Sequence, residues 1–100
     1  MNTELRKDIL LATMKALWGE VFPKLRAVVC FVKTETEFEV AFFVDGDIEM
    51  DEQEAMQCVV TEVIADFPAN FLISEKLIQL DAPAPIPTAE GLLVFLRKES

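Results

Sequence analysis

The densest group of ionisable side chains lies in the segment DGDIEMDEQE, residues 45–54, directly after an apolar run. Its acids occupy six of the ten positions: Asp45, Asp47, Glu49, Asp51, Glu52 and Glu54. Carboxylates at this density can bind a metal ion, act as general acid and base, cap a helix, or attract a basic partner. The spacing of these acids and the residues around them distinguish between the four alternatives.

Calcium is the first alternative, because Asp45, Asp47 and Glu49 match positions 1, 3 and 5 of an EF-hand loop. Position 6 of such a loop needs glycine for its sharp turn but is Met50 here, and position 12 needs a bidentate glutamate but is Met56. The preceding segment also has the pattern of a strand, whereas an EF-hand loop follows a helix. We therefore expect neither a metal nor another cofactor.

Catalysis lacks the side chains that it would need. The chain contains no histidine, which excludes Ser–His and Cys–His nucleophile systems and histidine-based zinc sites. It has three glycines and no glycine-rich phosphate loop. A pair of carboxylates would need an apolar pocket to raise the pKa of one member, whereas acids on a turn stay ionised. The sequence predicts that the protein is not an enzyme.

Charge narrows the choice of partner. The formal net charge is −9, and between Lys33 and Lys76 there are twelve acids and no lysine or arginine. Nucleic acids and anionic membrane surfaces bind to basic footprints, so we expect neither as a partner. A basic protein, by contrast, would be attracted over several ångströms and would find its docking surface faster.

Helix capping explains part of the acidic cluster. Asp51 and Glu52 fall at the start of a predicted helix, where acids interact favourably with the helix dipole and the free N–H groups. The acids just before them suit a turn. Capping does not explain why two further acids, Glu37 and Glu39, lie on the strand that precedes the helix. A solvated acidic face and a docking surface for a basic partner therefore both stay open.

The elements that must position these acids follow from hydrophobic periodicity. Apolar residues three and four positions apart predict two helices, from Thr3 to about Val21 and from about Asp51 to Phe67. Four apolar or alternating segments predict strands: Leu25–Val32, Thr36–Val44, Phe71–Asp81 and Leu92–Arg97. The proline-rich connector APAPIPTAEG, residues 82–91, is expected to be extended and exposed, because each proline denies the sheet a donor.

These elements predict a single α+β domain over residues 1–100, in the order α-β-β-α-β-β. Packing both helices on one face of a four-stranded, mainly antiparallel sheet buries both apolar stripes. We expect Cys30 and Cys58 to be reduced and buried, and Trp18 to belong to the core. The chain has neither an apolar run of about 18 residues nor the apolar centre of a signal peptide, which predicts a cytoplasmic protein.

Five segments together are similar to a known family: LRAVV, FFVDGDIEMDEQE, TEVIADFP, IQLDAPAPIP and VFLRKE. The chain resembles, from about Ala16 to Glu99, a family of small acidic bacterial proteins encoded beside polymorphic or contact-dependent growth inhibition toxins. Members of this family act as the immunity proteins of those toxins. The resemblance implies a stoichiometric inhibitor that binds a cognate toxin domain and protects the producing cell.

Many such toxins are nucleases with basic substrate clefts, and an acidic face would suit them. The resemblance implies that the acids on and after the second strand contact the toxin: Glu37, Glu39, Asp45, Asp47, Glu49, Asp51 and Glu52. Their carboxylates would occupy the phosphate positions of the substrate and speed the encounter.

Phe43 is a further candidate contact, because it shares a strand face with the glutamates while Phe38, Val40, Phe42 and Val44 share the other. It is either exposed on the sheet face away from the helices, as an aromatic anchor, or buried by an edge element or a dimer partner. An alternative function also follows. In it, the protein is a small structural or adaptor domain that forms a homodimer, or binds another protein, through its exposed sheet face.

Overall fold

A computed structural model describes residues 3–99, and in this range the chain forms two helices and four strands. In chain order they are α1 (Thr3–Ala16), β1 (Leu25–Thr34), β2 (Glu37–Val44), α2 (Met50–Ala65), β3 (Leu72–Gln79) and β4 (Leu92–Leu96). The predicted α+β class and element order are confirmed. Helix α1 ends earlier than predicted, because a turn follows it in which Gly19 has a φ of 82°. Glycine adopts this left-handed conformation without steric cost.

The sheet is mixed, with the strand order β3-β2-β1-β4. β1 pairs antiparallel with β2 and with β4, whereas β2 and β3 are parallel, so that Phe43 lies opposite Ile78. A hairpin joins β1 to β2, but α2 lies between β2 and β3 and carries the chain back to the same end of the sheet. Two of the three pairings are antiparallel, as predicted for a mainly antiparallel sheet.

The larger core lies between the sheet and the two helices, which pack against each other on one face. β2 directs Phe38, Val40, Phe42 and Val44 into it, as the alternation predicts. The helices contribute their buried stripes: Ile9, Ala12, Thr13 and Ala16 from α1, and Met56, Val59, Val60 and Val63 from α2. Complete burial of a Val, Ile, Phe or Met side chain contributes about 1.5–3 kcal/mol each.

The opposite face of the sheet is covered by the segment 80–91. β3 and β4 occupy opposite edges, about 14 Å apart at the usual strand spacing, so the chain between them must cross β2 and β1. Because the helices occupy one face, the segment crosses the other. There Leu80 and Ile86 pack over a smaller core: Ala27, Val29, Ala41 and Phe43. The connector 82–91 is therefore a cover for the sheet as well as the exposed spacer that was predicted.

Two predictions of burial are wrong. Trp18 is 78% exposed, because it lies on the turn after α1 and points away from the core. Cys58 is exposed, because the buried stripe of α2 contains Met56 and Val59 and leaves Cys58 on the opposite side of the helix. Cys30 is buried, as predicted.

Candidate functional site

Asp45, at the end of β2, belongs to an internal polar network. Its Oδ2 accepts a hydrogen bond from Arg97 Nη2 at 3.2 Å, and its Oδ1 accepts one from the Ala82 N–H at 3.3 Å. The guanidinium of Arg97 is the main cause that lowers the pKa of Asp45. The next N–H, that of Gly46, donates to Asp81 Oδ1 at 2.8 Å. Asp45 thus joins the end of β2 to Arg97, the residue after β4, and to the connector.

Glu52 is also held internally, at the start of α2. Its Oε1 accepts a hydrogen bond from the N–H of Glu49, the N-cap residue, at 3.0 Å, and lies 3.0 Å from Lys24 Nζ. Burial raises the pKa of Glu52, but the Glu49 N–H and the Lys24 ammonium together bring it below the ordinary value. The side chain is only 12% exposed, so Glu52 stabilises the helix start rather than facing a partner.

The other acids of the segment are exposed and continue along the outer side of α2. α2 contains no lysine or arginine. Spacings of three and eight place Asp51, Glu54 and Glu62 on one side of the helix, opposite its buried stripe. We define the acidic helix surface as five exposed residues: Asp47, Glu49, Asp51, Glu54 and Glu62. Glu54 and Glu62 were missing from the predicted contacts, although helical spacing from Asp51 could have identified them.

Glu37 and Glu39 lie at the other end of β2. Glu39 and Asp45 are six positions apart, which corresponds to about 20 Å along a strand. Both glutamates are half-buried, and Glu39 Oε2 lies 3.9 Å from Lys33 Nζ. The structure therefore does not bring the predicted acids together into one face.

Phe43 is buried, with 2% of its surface exposed, in the small core beneath Leu80 and Ile86. The hypothesis that it is an exposed anchor is wrong, because the segment between β3 and β4 has to cross this face. Of the alternatives drawn from the sequence, burial is observed, but the residues that bury Phe43 belong to the segment 80–91 rather than to an edge element or a dimer partner.

Arg26 forms a buried charged cluster that sequence reasoning missed. It is 2% exposed, its Nε donates to Glu99 Oε2 at 2.7 Å, and its Nη2 donates to Glu99 Oε1 at 2.9 Å. Its Nη1 and Nη2 also donate to the carbonyl oxygens of Leu80 and Ala84, at 2.8 and 2.9 Å. Arg26, together with Arg97, lowers the pKa of Glu99 to about 2. An arginine inside the apolar run LRAVVCFV was the available signal.

An open apolar groove of about 600 Å³ lies between α1 and the loop that joins α2 to β3. Its apolar lining includes Leu5, Leu11, Met14, Trp18, Phe67 and Phe71. Asp8, Lys15 and Asp66 provide its charged groups, and Lys15 Nζ lies 3.0 Å from Asp66 Oδ2. We call this the Trp18 groove. None of the acids of residues 45–54 lines it.

The described residues bring few reactive groups together. Within residues 3–99, histidine, cysteine, aspartate and glutamate side chains form no group of three or more that could hold a metal ion. Burial raises the pKa of the Cys30 thiol to about 11, despite the Thr13 hydroxyl 3.7 Å from its sulfur. Helices α1 and α2 are both too short and too polar to cross a membrane, and the described part of the chain has no others.

The exposed features of the described residues are thus an acidic helix and an open apolar groove. Residues 6–99 match the family model of the MafI2 immunity protein, so the chain belongs to that family. Its similarity to immunity proteins of polymorphic toxin systems is thereby confirmed. Membership supports a toxin-neutralising immunity role, a cognate toxin as partner, and a non-enzymatic inhibitor. A comparison with curated proteins gave no match.

Proposed function

We propose that the protein neutralises a basic toxin domain, of the nuclease class, by placing its acidic helix surface against the substrate cleft of that domain. One observation carries the proposal: the outer side of α2 presents acids and no lysine or arginine. Among residues 3–99, none of Asp47, Glu49, Asp51, Glu54 and Glu62 forms an ion pair with a basic side chain. All five carboxylates are exposed, although Glu49 and Asp47 also attract the Lys24 ammonium, whose pKa is raised mainly by Glu52.

The acids would inhibit the toxin because their carboxylates take the place of the substrate phosphates. A nuclease cleft binds phosphates through lysine and arginine, and carboxylates at similar positions compete for the same side chains. Each exposed pair contributes only about 0–1 kcal/mol, so the effect depends on several acids acting together. Attraction between an acidic surface and a basic cleft raises the association rate, and salt weakens it.

The test is titration calorimetry and stopped-flow association with the toxin domain encoded beside this chain, at low and high salt. The variant is the triple substitution Asp47→Asn, Glu49→Gln and Asp51→Asn. The control triple, Glu35→Gln, Glu75→Gln and Glu90→Gln, removes the same charge from exposed acids elsewhere. We expect the first triple to slow association at low salt by about tenfold or more, and the control to slow it much less.

Two results would contradict the proposal. If both triple variants associated equally slowly with the toxin domain, the association rate would depend on net charge and not on the acidic helix surface. Failure of the wild-type protein to bind the toxin domain at either salt concentration would remove the function itself for that pair.

The alternative of an adaptor that self-associates through its sheet has less support. The segment 80–91 covers the centre of that face, and exposed apolar residues remain only toward its edges: Leu72 on β3, and Leu93 and Leu96 on β4. A homodimer stays a prediction, which sedimentation equilibrium checks directly. Self-association of this kind would change little with salt, because apolar contacts would stabilise it.

A further inference from the structure

We infer that the Trp18 groove is the anchoring part of the toxin interface, and that its occupant is an apolar side chain of the cognate toxin next to a basic residue. The inference rests on the proposed function, because it assigns a second contact to the same partner. It concerns a different part of the surface from the acidic helix surface, so the two can be tested separately.

Exposed apolar area is the first argument. Leu11 is 56% exposed, Met14 is 49% exposed and Trp18 is 78% exposed. All three line the groove, and none of them was expected to lie at the surface from its residue type. Tryptophan is among the residues most enriched where binding energy concentrates at protein interfaces. Burial of this group by a partner would remove a continuous apolar area from water.

Rigidity is the second argument. Phe67 and Phe71 form one wall of the groove, with ring centroids 4.9 Å apart. Both rings also contact Phe38, at 5.2 and 6.5 Å between centroids, and Phe38 is 1% exposed in the larger core. The wall is therefore fixed by the core before any partner arrives. A preformed groove loses little conformational entropy on binding.

Charge at the rim selects the kind of occupant. Two carboxylates, those of Asp8 and Asp66, accompany a single ammonium, that of Lys15. The groove is thus slightly negative and favours a lysine or arginine beside the inserted apolar group. A second copy of this chain is disfavoured as occupant, because two molecules with a formal net charge of −9 repel each other.

The groove is also continuous with the acidic helix surface. Asp66 follows the last residue of α2 and lies at the rim. The 16 residues of α2 extend over about 24 Å, within the width of an interface that buries about 800 Å² on each partner. One toxin domain of ordinary size can therefore contact both surfaces at once.

The chain has one tryptophan, which makes the groove directly observable. The experiment labels the protein with 5-fluorotryptophan, follows the single ¹⁹F resonance, and adds the toxin domain encoded beside this chain. We expect the resonance to shift on binding. We expect Trp18→Ala to weaken affinity by about 30-fold or more, as for a typical interface hot spot, and Leu11→Ala by about tenfold.

Leu96→Ala is the matched control. Leu96 is 56% exposed, the same value as Leu11, but it lies on the opposite face of the sheet, paired with Ala27. We expect its affinity to equal that of the wild-type protein. Thermal unfolding of each variant checks that the fold is unchanged.

The outcomes separate the two proposals. Wild-type binding with an unmoved ¹⁹F resonance, or with equal affinities for Trp18→Ala and Leu96→Ala, would overturn the groove and leave the acidic helix surface standing. A shift of the resonance with protein concentration alone, before toxin is added, would show a second copy in the groove and would also overturn the inference. Absence of any wild-type binding would remove the proposed function and the groove with it.

Discussion

Arg26 and Glu99 form a two-point ion pair across 73 residues of sequence, with Arg26 Nε 2.7 Å from Glu99 Oε2 and Arg26 Nη2 2.9 Å from Glu99 Oε1. Two further N–H groups of the same guanidinium donate to the carbonyl oxygens of Leu80 and Ala84. One buried cation on the central strand β1 therefore binds the segment after β4 and the segment that covers the sheet. Loss of the Arg26 guanidinium would remove both sets of contacts.

Glu99→Gln should make the fold less stable at neutral pH and should also reduce its sensitivity to acid. The pKa of Glu99 is about 2 in the folded protein and 4.5 ordinarily, because Arg26 and Arg97 stabilise its charged form. A lowered carboxyl pKa contributes stability that is fully present above 4.5 and is lost as pH falls toward 2. Urea unfolding of both proteins across this range measures the difference. A difference in unfolding free energy between the wild-type protein and Glu99→Gln that stayed constant down to pH 2 would contradict the lowered pKa of Glu99.

Asp45→Asn should lower the melting temperature, whereas Asp47→Asn should leave it unchanged. The Asp45 carboxylate accepts hydrogen bonds from Arg97 and from the Ala82 N–H, and the amide keeps the shape but loses the charge. Asp47 is exposed, and its backbone carbonyl, which substitution preserves, is the group that binds Lys24. Thermal unfolding by circular dichroism distinguishes the two variants. Equal melting temperatures would mean that Asp45 is not structural.

Glu52→Ala should destabilise the protein by about 1 kcal/mol, because it removes the acceptor for the N–H of Glu49 at the start of α2. Glu52→Gln keeps that acceptor and loses only the charge beside Lys24, so its effect should be smaller. Glu54→Ala, on an exposed position of the same turn, is the control and should be nearly neutral. Chemical unfolding measures the free energy of unfolding of the three variants. An equal loss of stability in Glu54→Ala and Glu52→Ala would contradict the capping role of Glu52.

Gly91→Ala should destabilise the fold by about 1–3 kcal/mol through overpacking. Gly91 lies against the sheet, where an added Cβ would be 2.9 Å from Phe31 Cε1 and nearer still to Val29 Cγ1. The double variant Gly91→Ala with Val29→Ala should lose less than the sum of the single losses, because the shorter side chain makes room. If the losses of unfolding free energy measured in urea were additive, the Cβ added at Gly91 would not be in steric conflict with Val29.

The two thiols should react differently in the native protein. Cys58 is exposed on α2, whereas Cys30 is buried and its thiol pKa is raised to about 11, which leaves almost no thiolate at neutral pH. A thiol-reactive chromophore should modify Cys58 at once and Cys30 only when the protein unfolds. Rapid modification of both in native buffer would contradict the burial of Cys30.

Local structure was predictable from local patterns. The alternation in β2 assigned Phe38, Val40, Phe42 and Val44 to one face, and they form the larger core. The apolar spacing in α2 identified its buried stripe, and the acids at its start correctly indicated a capped helix end. Each of these inferences depends on residues a few positions apart.

Individual surfaces were less predictable, because exposure depends on what crosses a position from elsewhere in the chain. Phe43 has the same strand context as Phe42, yet it is buried by residues near 80–86 rather than by a helix. Trp18 looks like a core residue by type, yet the turn at Gly19 leaves it outside. Of the predicted acids, Asp45 and Glu52 are held by the internal partners Arg97 and Lys24.

The sequence by itself determined the class of fold, the order of the elements and the acidic character of the protein, because periodicity, caps and charge are properties of neighbouring residues. The tertiary structure decided the strand order, and with it the path of the segment from β3 to β4. That path buries Phe43 and brings the carbonyl groups of Leu80 and Ala84 to Arg26, and the pairing of β4 with β1 brings Glu99 to the same guanidinium. The physical reason is that contacts between residues 50 or more positions apart depend on which strands are neighbours, and short-range patterns do not contain that information.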